Sequence, residues 1–174
     1  MQLEEYQALA IKTAIYPRKS GLQYLTLGLA GEIGEIANKI KKVYRDHDGQ
    51  IPDAMKADIA AEVGDALWYC AALATDARFV LQEGFALLPK SLPNLMTCGL
   101  RLAAIAGRLA NYADPGAPIH EQDAVRRGVE RACCYLNAVA YYLGFDLQDI
   151  AQGSIDKLLA RKERGTLQGS GDKR

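Results

Sequence analysis

Histidine, phenylalanine and cysteine are all scarce in this chain of 174 residues, at two, three and four copies. The two histidines, His47 and His120, sit in polar stretches far apart, and neither stands three residues after a glutamate. That excludes the Glu-x-x-His pairs of a di-iron carboxylate bundle. Cys70, Cys98, Cys133 and Cys134 lie inside apolar runs without ligand spacing, which argues against zinc and for reduced core thiols in a cytoplasmic protein. Net charge is also missing: 21 Lys and Arg balance 21 Asp and Glu. No global field therefore draws the chain to a nucleic-acid polymer or an anionic membrane. No charge-free run of 18 apolar residues is present, so no membrane span is expected. The opening Met1-Gln-Leu-Glu-Glu5 is acidic where a secretory signal would be basic.

The six prolines fall between segments of apolar 3.6-residue period, and no alternating strand pattern appears. The expectation is an all-α fold, a bundle of about five to six helices in one domain spanning 1–174. The helices are predicted over about Leu3–Ala14, Ser20–Tyr44 with Ser20 as cap, Ala54–Gln82 capped by Asp53, and Asn94–Tyr112. Two more cover Glu121–Leu143 and, opened by Asp146, a stretch ending near Arg164. Gly165–Arg174 reads as a flexible Gly-rich tail. Residues 25–74 and 95–143 share a helix–loop–helix layout at an offset of 68 to 71 residues. This suggests a duplicated hairpin in which Glu130 and Cys133 stand where the first copy has Glu62 and Asp65.

What the sequence does have is two acid pairs in apolar surroundings. Glu32 and Glu35 lie within Leu25–Ala37, and Glu62 and Asp65 within Ile59–Tyr69. At i, i+3 the carboxylates of each pair share a helix face, one turn apart. Clustered anions in such settings need a counter-charge, and a hard divalent cation, Mg²⁺ or Mn²⁺, supplies it through oxygen ligands. Lys39 and Lys42 continue the stripe of Glu32 and Glu35 at i+7 and i+10, which suits a metal beside a polyphosphate. The simpler reading of that stripe is a solvated face with Glu35 paired to Lys39. Glu62 and Asp65 have no cation at i+4, so their charge must be answered from another segment. Gly28, Gly31 and Gly34 inside one helix suggest close approach of a helix or ligand, or a plain packing seam.

Gly28-Leu-Ala-Gly-Glu-Ile-Gly-Glu-Ile-Ala-Asn-Lys-Ile-Lys-Lys42, followed after a loop by Glu62-Val-Gly-Asp-Ala-Leu-Trp-Tyr69, resembles the MazG-like, all-α nucleoside triphosphate pyrophosphohydrolases. Their hallmark is E-x-x-E, a variable loop, then E-x-x-D. Glu5-Tyr-Gln7, Lys157–Gly165 and Leu167–Asp172 are also similar to the family. The likeness covers about 1–75 and 143–174. The 77–142 insert suggests the single-chain, duplicated arrangement of dimeric dUTPase relatives. Ser154 stands where the family usually has Asn, which puts a contact to sugar or phosphate in doubt.

The resemblance implies hydrolysis of a nucleoside triphosphate to monophosphate and pyrophosphate, serving nucleotide pool sanitation or balance. Glu32, Glu35, Glu62 and Asp65 would hold Mg²⁺, with Glu32 and Glu35 catalytic and Glu32 orienting or deprotonating the attacking water. Lys39, Lys42, Lys157, Arg161 and Arg164 would meet the triphosphate, the simpler reading of the last three being a solvated C-terminal helix. Trp68 or Tyr69 would either stack on the base or, as such residues more often do, pack in the core. Partial burial of such hairpins predicts a homodimer or homotetramer. The alternative is a catalytically retired helical partner that keeps the fold.

Overall fold

The computed structural model describes residues 1–116 and 122–168, and among these residues all regular structure is helical. Six α-helices follow in order: α1 (Leu3–Ala10), α2 (Gly21–His47), α3 (Asp53–Asp76), α4 (Leu95–Ala113), α5 (Gln122–Leu143) and α6 (Leu147–Glu163). Short 3₁₀ turns occupy Ile11–Thr13, Arg18–Ser20 and Glu83–Ala86. The expected start of α5 at Glu121, the loop placement of His120 and the end of the tail lie outside the described residues.

Two helical hairpins form the centre. In a four-helix square, α2 packs on α3 and α4, and α5 packs on the same two helices, while α1 and α6 lean on α3. The reason lies in the apolar stripes. Leu25, Leu29, Ile33, Ile36, Ile40 and Val43 recur at three- and four-residue steps along α2, and each is at most 2% exposed. Leu102, Ile105 and Leu109 repeat the pattern on α4, and Val129, Leu136 and Val139 on α5. One continuous apolar core runs through both hairpins. Burying an aliphatic side chain contributes about 1.5–3 kcal/mol. The second hairpin thus covers, within one chain, the faces the first would otherwise leave wet.

Several boundaries differ from expectation. The third helix stops at Asp76 rather than continuing to Gln82, because its end is fixed by distant partners. Arg78 takes a left-handed conformation (φ 61°), and Phe79 N–H returns to the Ala74 carbonyl at 2.9 Å. Gln7 of α1 then captures the outgoing strand of chain, donating to the Phe79 carbonyl at 3.0 Å and accepting from Leu81 N–H at 2.8 Å. The second helix runs one turn longer, to His47, and ends at Asp48 and Gly49, both with positive φ. Ser20 occupies the cap position but its side chain makes no cap bond. Asp53 is the first helical residue rather than the cap and pairs with Lys56 at 2.7 Å. Asn94 and Asp146 do cap, accepting from Thr97 N–H and Gln148 N–H at 2.8 Å each. The first helix closes at Ala10 in a 3₁₀ turn.

In the second hairpin, Glu130 pairs with Arg126 at 2.9 Å and Cys133 is fully buried. Whatever its origin, this hairpin presents no acid cluster among the described residues.

Candidate active site

Because α2 and α3 run antiparallel, the middle of one faces the middle of the other. Carboxylate oxygens of Glu32, Glu35 and Glu62 all lie within 4.8 Å of one another. Asp65, one turn beyond Glu62, borders the same cavity. Its carboxylate is held by α6: Lys157 Nζ donates to Asp65 Oδ1 at 2.7 Å and Oδ2 at 3.1 Å. Lys39 does not take the i, i+4 partner. Its ammonium crosses to α3, donating to Glu62 Oε1 at 2.7 Å and to the Asp58 carbonyl at 3.0 Å. Glu62 and Asp65 thus receive their counter-charges from other helices.

These two lysines do not neutralise the set. Burial, then the negative charges of Asp65, Glu62 and Glu35, and a hydrogen bond with Glu62, push Glu32 up to about 8 from its ordinary 4.5. Such a shift reports excess negative charge in a place poorly reached by water. Three converging carboxylates with an oxygen-only donor set fit a hard divalent cation, which would relieve that repulsion. Perturbed acids in a cleft are also the usual mark of a reactive site.

The cavity measures about 500 Å³, and the four acids and Arg161 are part of its lining. Arg161 is 6% exposed, an unusual burial for a guanidinium. Its lining also has an aromatic part: Tyr16, Tyr24, Trp68 and Tyr69, with Thr13 and Ile15. Trp68 Nε1–H donates to Thr13 Oγ1 at 3.0 Å and the Ala10 carbonyl at 3.2 Å, so the indole is pinned. Tyr69 lies edge-on to Trp68, ring centroids 5.1 Å apart, and fills the space left by Gly28. A Cβ at Gly28 would stand 2.2 Å from the Tyr69 ring, whereas one at Gly31 or Gly34 would meet nothing. Among the described residues, the expected close approach along the glycine row therefore occurs at Gly28 and not at Gly31 or Gly34.

Of the residues proposed from sequence, Glu32, Glu35, Glu62, Asp65, Trp68, Tyr69 and Arg161 line this cavity, and Lys39 and Lys157 touch its acids. Lys42 and Arg164 are exposed and do not line it. Ser154 is not aimed at a ligand. Its hydroxyl donates to the Gly64 carbonyl at 3.3 Å, and with 7% exposure it seats α6 on α3.

Sequence reasoning missed Tyr16, Tyr24, Thr13, Ile15 and Leu158. A signal existed for Tyr24: it precedes Gly28 and Glu32 at i−4 steps, on the face that carries the acids. Leu167 and Gln168 reach the cavity because the chain turns back after α6. Gly165 has φ 69°, and Thr166 N–H bonds the Arg161 carbonyl at 2.9 Å.

Comparison with known proteins adds an independent line. Residues 20–91 match the family model described as MazG nucleotide pyrophosphohydrolase domain. That span holds α2, α3 and all four acids. Over 80 residues the chain is 50% identical to the Gene 37 protein of Mycobacterium phage L5, a stretch covering 42% of this chain and 70% of the phage protein. No solved structure matches the chain.

Proposed function

The chain belongs to the MazG nucleotide pyrophosphohydrolase family, and from that premise we propose that it hydrolyses nucleoside or deoxynucleoside triphosphates to a monophosphate and pyrophosphate, using Mg²⁺ or Mn²⁺, for pool sanitation or balance. The observation that carries this reading is the gathering of Glu32, Glu35 and Glu62 in a cavity that aromatic side chains also line. The acids suit an ion and polyphosphate, the aromatic rings a base.

Glu32, Glu35, Glu62 and Asp65 would hold the cation, which when bound supplies charge neutralisation at the phosphoryl oxygens and a more acidic water. The residues of the chain do the rest. Lys157 and Arg161 approach from α6, where the ammonium and the guanidinium fork meet phosphate oxygens. Lys39 is released from Glu62 as the acid takes up its role as ligand, and turns to the polyphosphate. Glu32, poised near neutrality by its surroundings, orients a water and accepts its proton as that water adds across the α–β anhydride. Monophosphate and pyrophosphate leave, and the proton passes to solvent. Lys42 and Arg164, exposed outside the cavity, have the weakest claim to a substrate contact.

Trp68 meets both Tyr16 and Tyr69 edge-on, so Trp68 and Tyr69 wall the base site as much as they stack on a base. Among the described residues no helix is long and apolar enough to cross a membrane, and we place the protein in the cytoplasm with its four thiols reduced. A homodimer or homotetramer would cover exposed apolar side chains such as Leu27 and Leu100, at 76% and 65% exposure. The test is direct: incubate the protein with each triphosphate and Mg²⁺ and quantify products chromatographically. Monophosphate and pyrophosphate in equal amounts support the proposal; release of orthophosphate and diphosphate, or no turnover with either metal, refutes it.

A further inference from the structure

The aromatic cluster in the cavity lining is fastened from outside. Tyr16 belongs to the short connection between the first 3₁₀ turn and α2, yet only 5% of it is exposed. Its hydroxyl donates to Asp76 Oδ1 at 3.0 Å and accepts from an Arg18 guanidinium nitrogen at 2.6 Å. The guanidinium also covers the Tyr16 ring at 4.5 Å and lies 3.6 Å from Asp76. On its other side the ring stacks on Tyr24, centroids 5.8 Å apart and planes 16° from parallel, and meets Trp68 edge-on at 6.3 Å. Burial, and then the hydrogen bond to Asp76, push the Tyr16 hydroxyl up to about 12, so it stays the donor.

Asp76 is the last residue of α3 and lies eleven residues past Asp65, about 16 Å along the helix. It is therefore out of reach of any ion held by the acid set. Its second oxygen lies against the first turn of α2, where a Cβ on Gly21 would come within 2.1 Å of it. No side chain caps that turn, and a carboxylate there is favoured by the unpaired N–H groups and the helix dipole. Asp76 so ties three elements together: the end of α3, the start of α2 and the segment carrying Tyr16.

The wall it braces offers the Tyr24 ring to a planar ligand. Tyr24 is 45% exposed and lines the cavity, while Trp68 is pinned by its indole N–H and crowded at its edges. Eight residues separate Tyr24 from Glu32, about 12 Å of helix, a span that suits a base at one end and phosphates at the other.

We propose that Asp76 is a positioning residue for nucleobase binding, holding Tyr16, and through it the open face of Tyr24, without touching substrate. This rests on the nucleotide reading of the cavity. Its consequence is a split between binding and chemistry. With the triphosphate that wild type hydrolyses best, Asp76→Ala raises KM about tenfold and leaves kcat within about twofold, since the acid set is undisturbed. Asp76→Asn gives a smaller rise, because its amide oxygen still accepts from Tyr16. The double variant Asp76→Ala/Tyr16→Phe is no worse than the poorer single variant, since both break one link.

Trp68, the chain's one tryptophan, gives a readout apart from turnover. Its fluorescence, titrated with the matching nucleoside monophosphate, shows affinity weakened by the same factor, while affinity for Mn²⁺ alone is unchanged. An unchanged KM in Asp76→Ala, beside an active wild type, overturns this inference alone. A joint fall of kcat and Mn²⁺ affinity overturns it too, since that is general structural loss. A wild type inactive on every triphosphate overturns the parent reading and this one with it. Should Asp76→Ala fail to fold, Asp76→Asn decides: a raised KM at preserved melting temperature supports the role, and an unaltered KM refutes it.

Discussion

A carboxyl group with a pKa near 8 keeps its proton at pH 7, so Glu32 of the metal-free protein is neutral where an exposed glutamate would be charged. Between its ordinary 4.5 and about 8, the folded state binds a proton that the unfolded chain has released. The folded state is then favoured less and less as pH rises through that window. In chelator, the melting temperature should therefore fall between pH 5 and 8. Glu32→Gln, which carries no charge to bury, should flatten that slope; an equal slope in both proteins would refute the assignment. Adding Mg²⁺ to wild type should release protons and offset the loss. Catalysis is expected to be just as sensitive at single positions. Glu35→Gln or Asp65→Asn should each lower kcat/KM at least about 10²-fold, the scale of removing one key electrostatic group. Activity surviving either change would move the site elsewhere.

Between elements, contacts decide what single residues mean. Gly28→Ala pushes a methyl into the Tyr69 ring, so it should cost about 1–3 kcal/mol of stability by overpacking. Gly31→Ala, on the same helix with open space around it, should instead stabilise by up to about 1 kcal/mol. Chemical denaturation of the two variants should give opposite signs; like signs would mean that α2 and α3 pack differently from this description. The same contrast separates what was legible from what was not. Acid spacing is a local property of a helix, so Glu32 with Glu35, and Glu62 with Asp65, could be read directly. The cross-helix destinations of Lys39 and Lys157 could not, because they depend on which helix lies opposite. The stop of α3 at Asp76 was equally hidden, since Gln7, some seventy residues away, draws the chain off its helical course. Tyr16 falls in the stretch between the first two expected helices, where no local pattern marks it. Its place in the cavity comes from Asp76 and Tyr24, which no local pattern couples to it.

For the whole molecule, one continuous core spanning both hairpins means that the thiols inside it are protected together. Cys70, Cys98 and Cys133 are fully buried, and burial pushes Cys98 up to about 11. Cys134 is only half-buried. An aromatic disulfide reagent at pH 8 should thus label one thiol per chain in the native protein and all four after denaturation. Rapid native labelling of several would show that the second hairpin opens freely from the first. The all-helical architecture was legible from apolar period and proline placement. The square packing of two hairpins was only suggested, because similar layouts at a fixed offset do not say which faces meet. The account as a whole depends on the acids of α2 and α3 forming one cation site that a nucleotide completes. Titration of Mn²⁺, followed by its paramagnetic resonance, addresses this most directly. Wild type should bind the ion saturably, more tightly with a non-hydrolysable α,β-bridged triphosphate present, and Glu35→Gln should lose that binding. Equal binding by both proteins, or none by wild type, would contradict it.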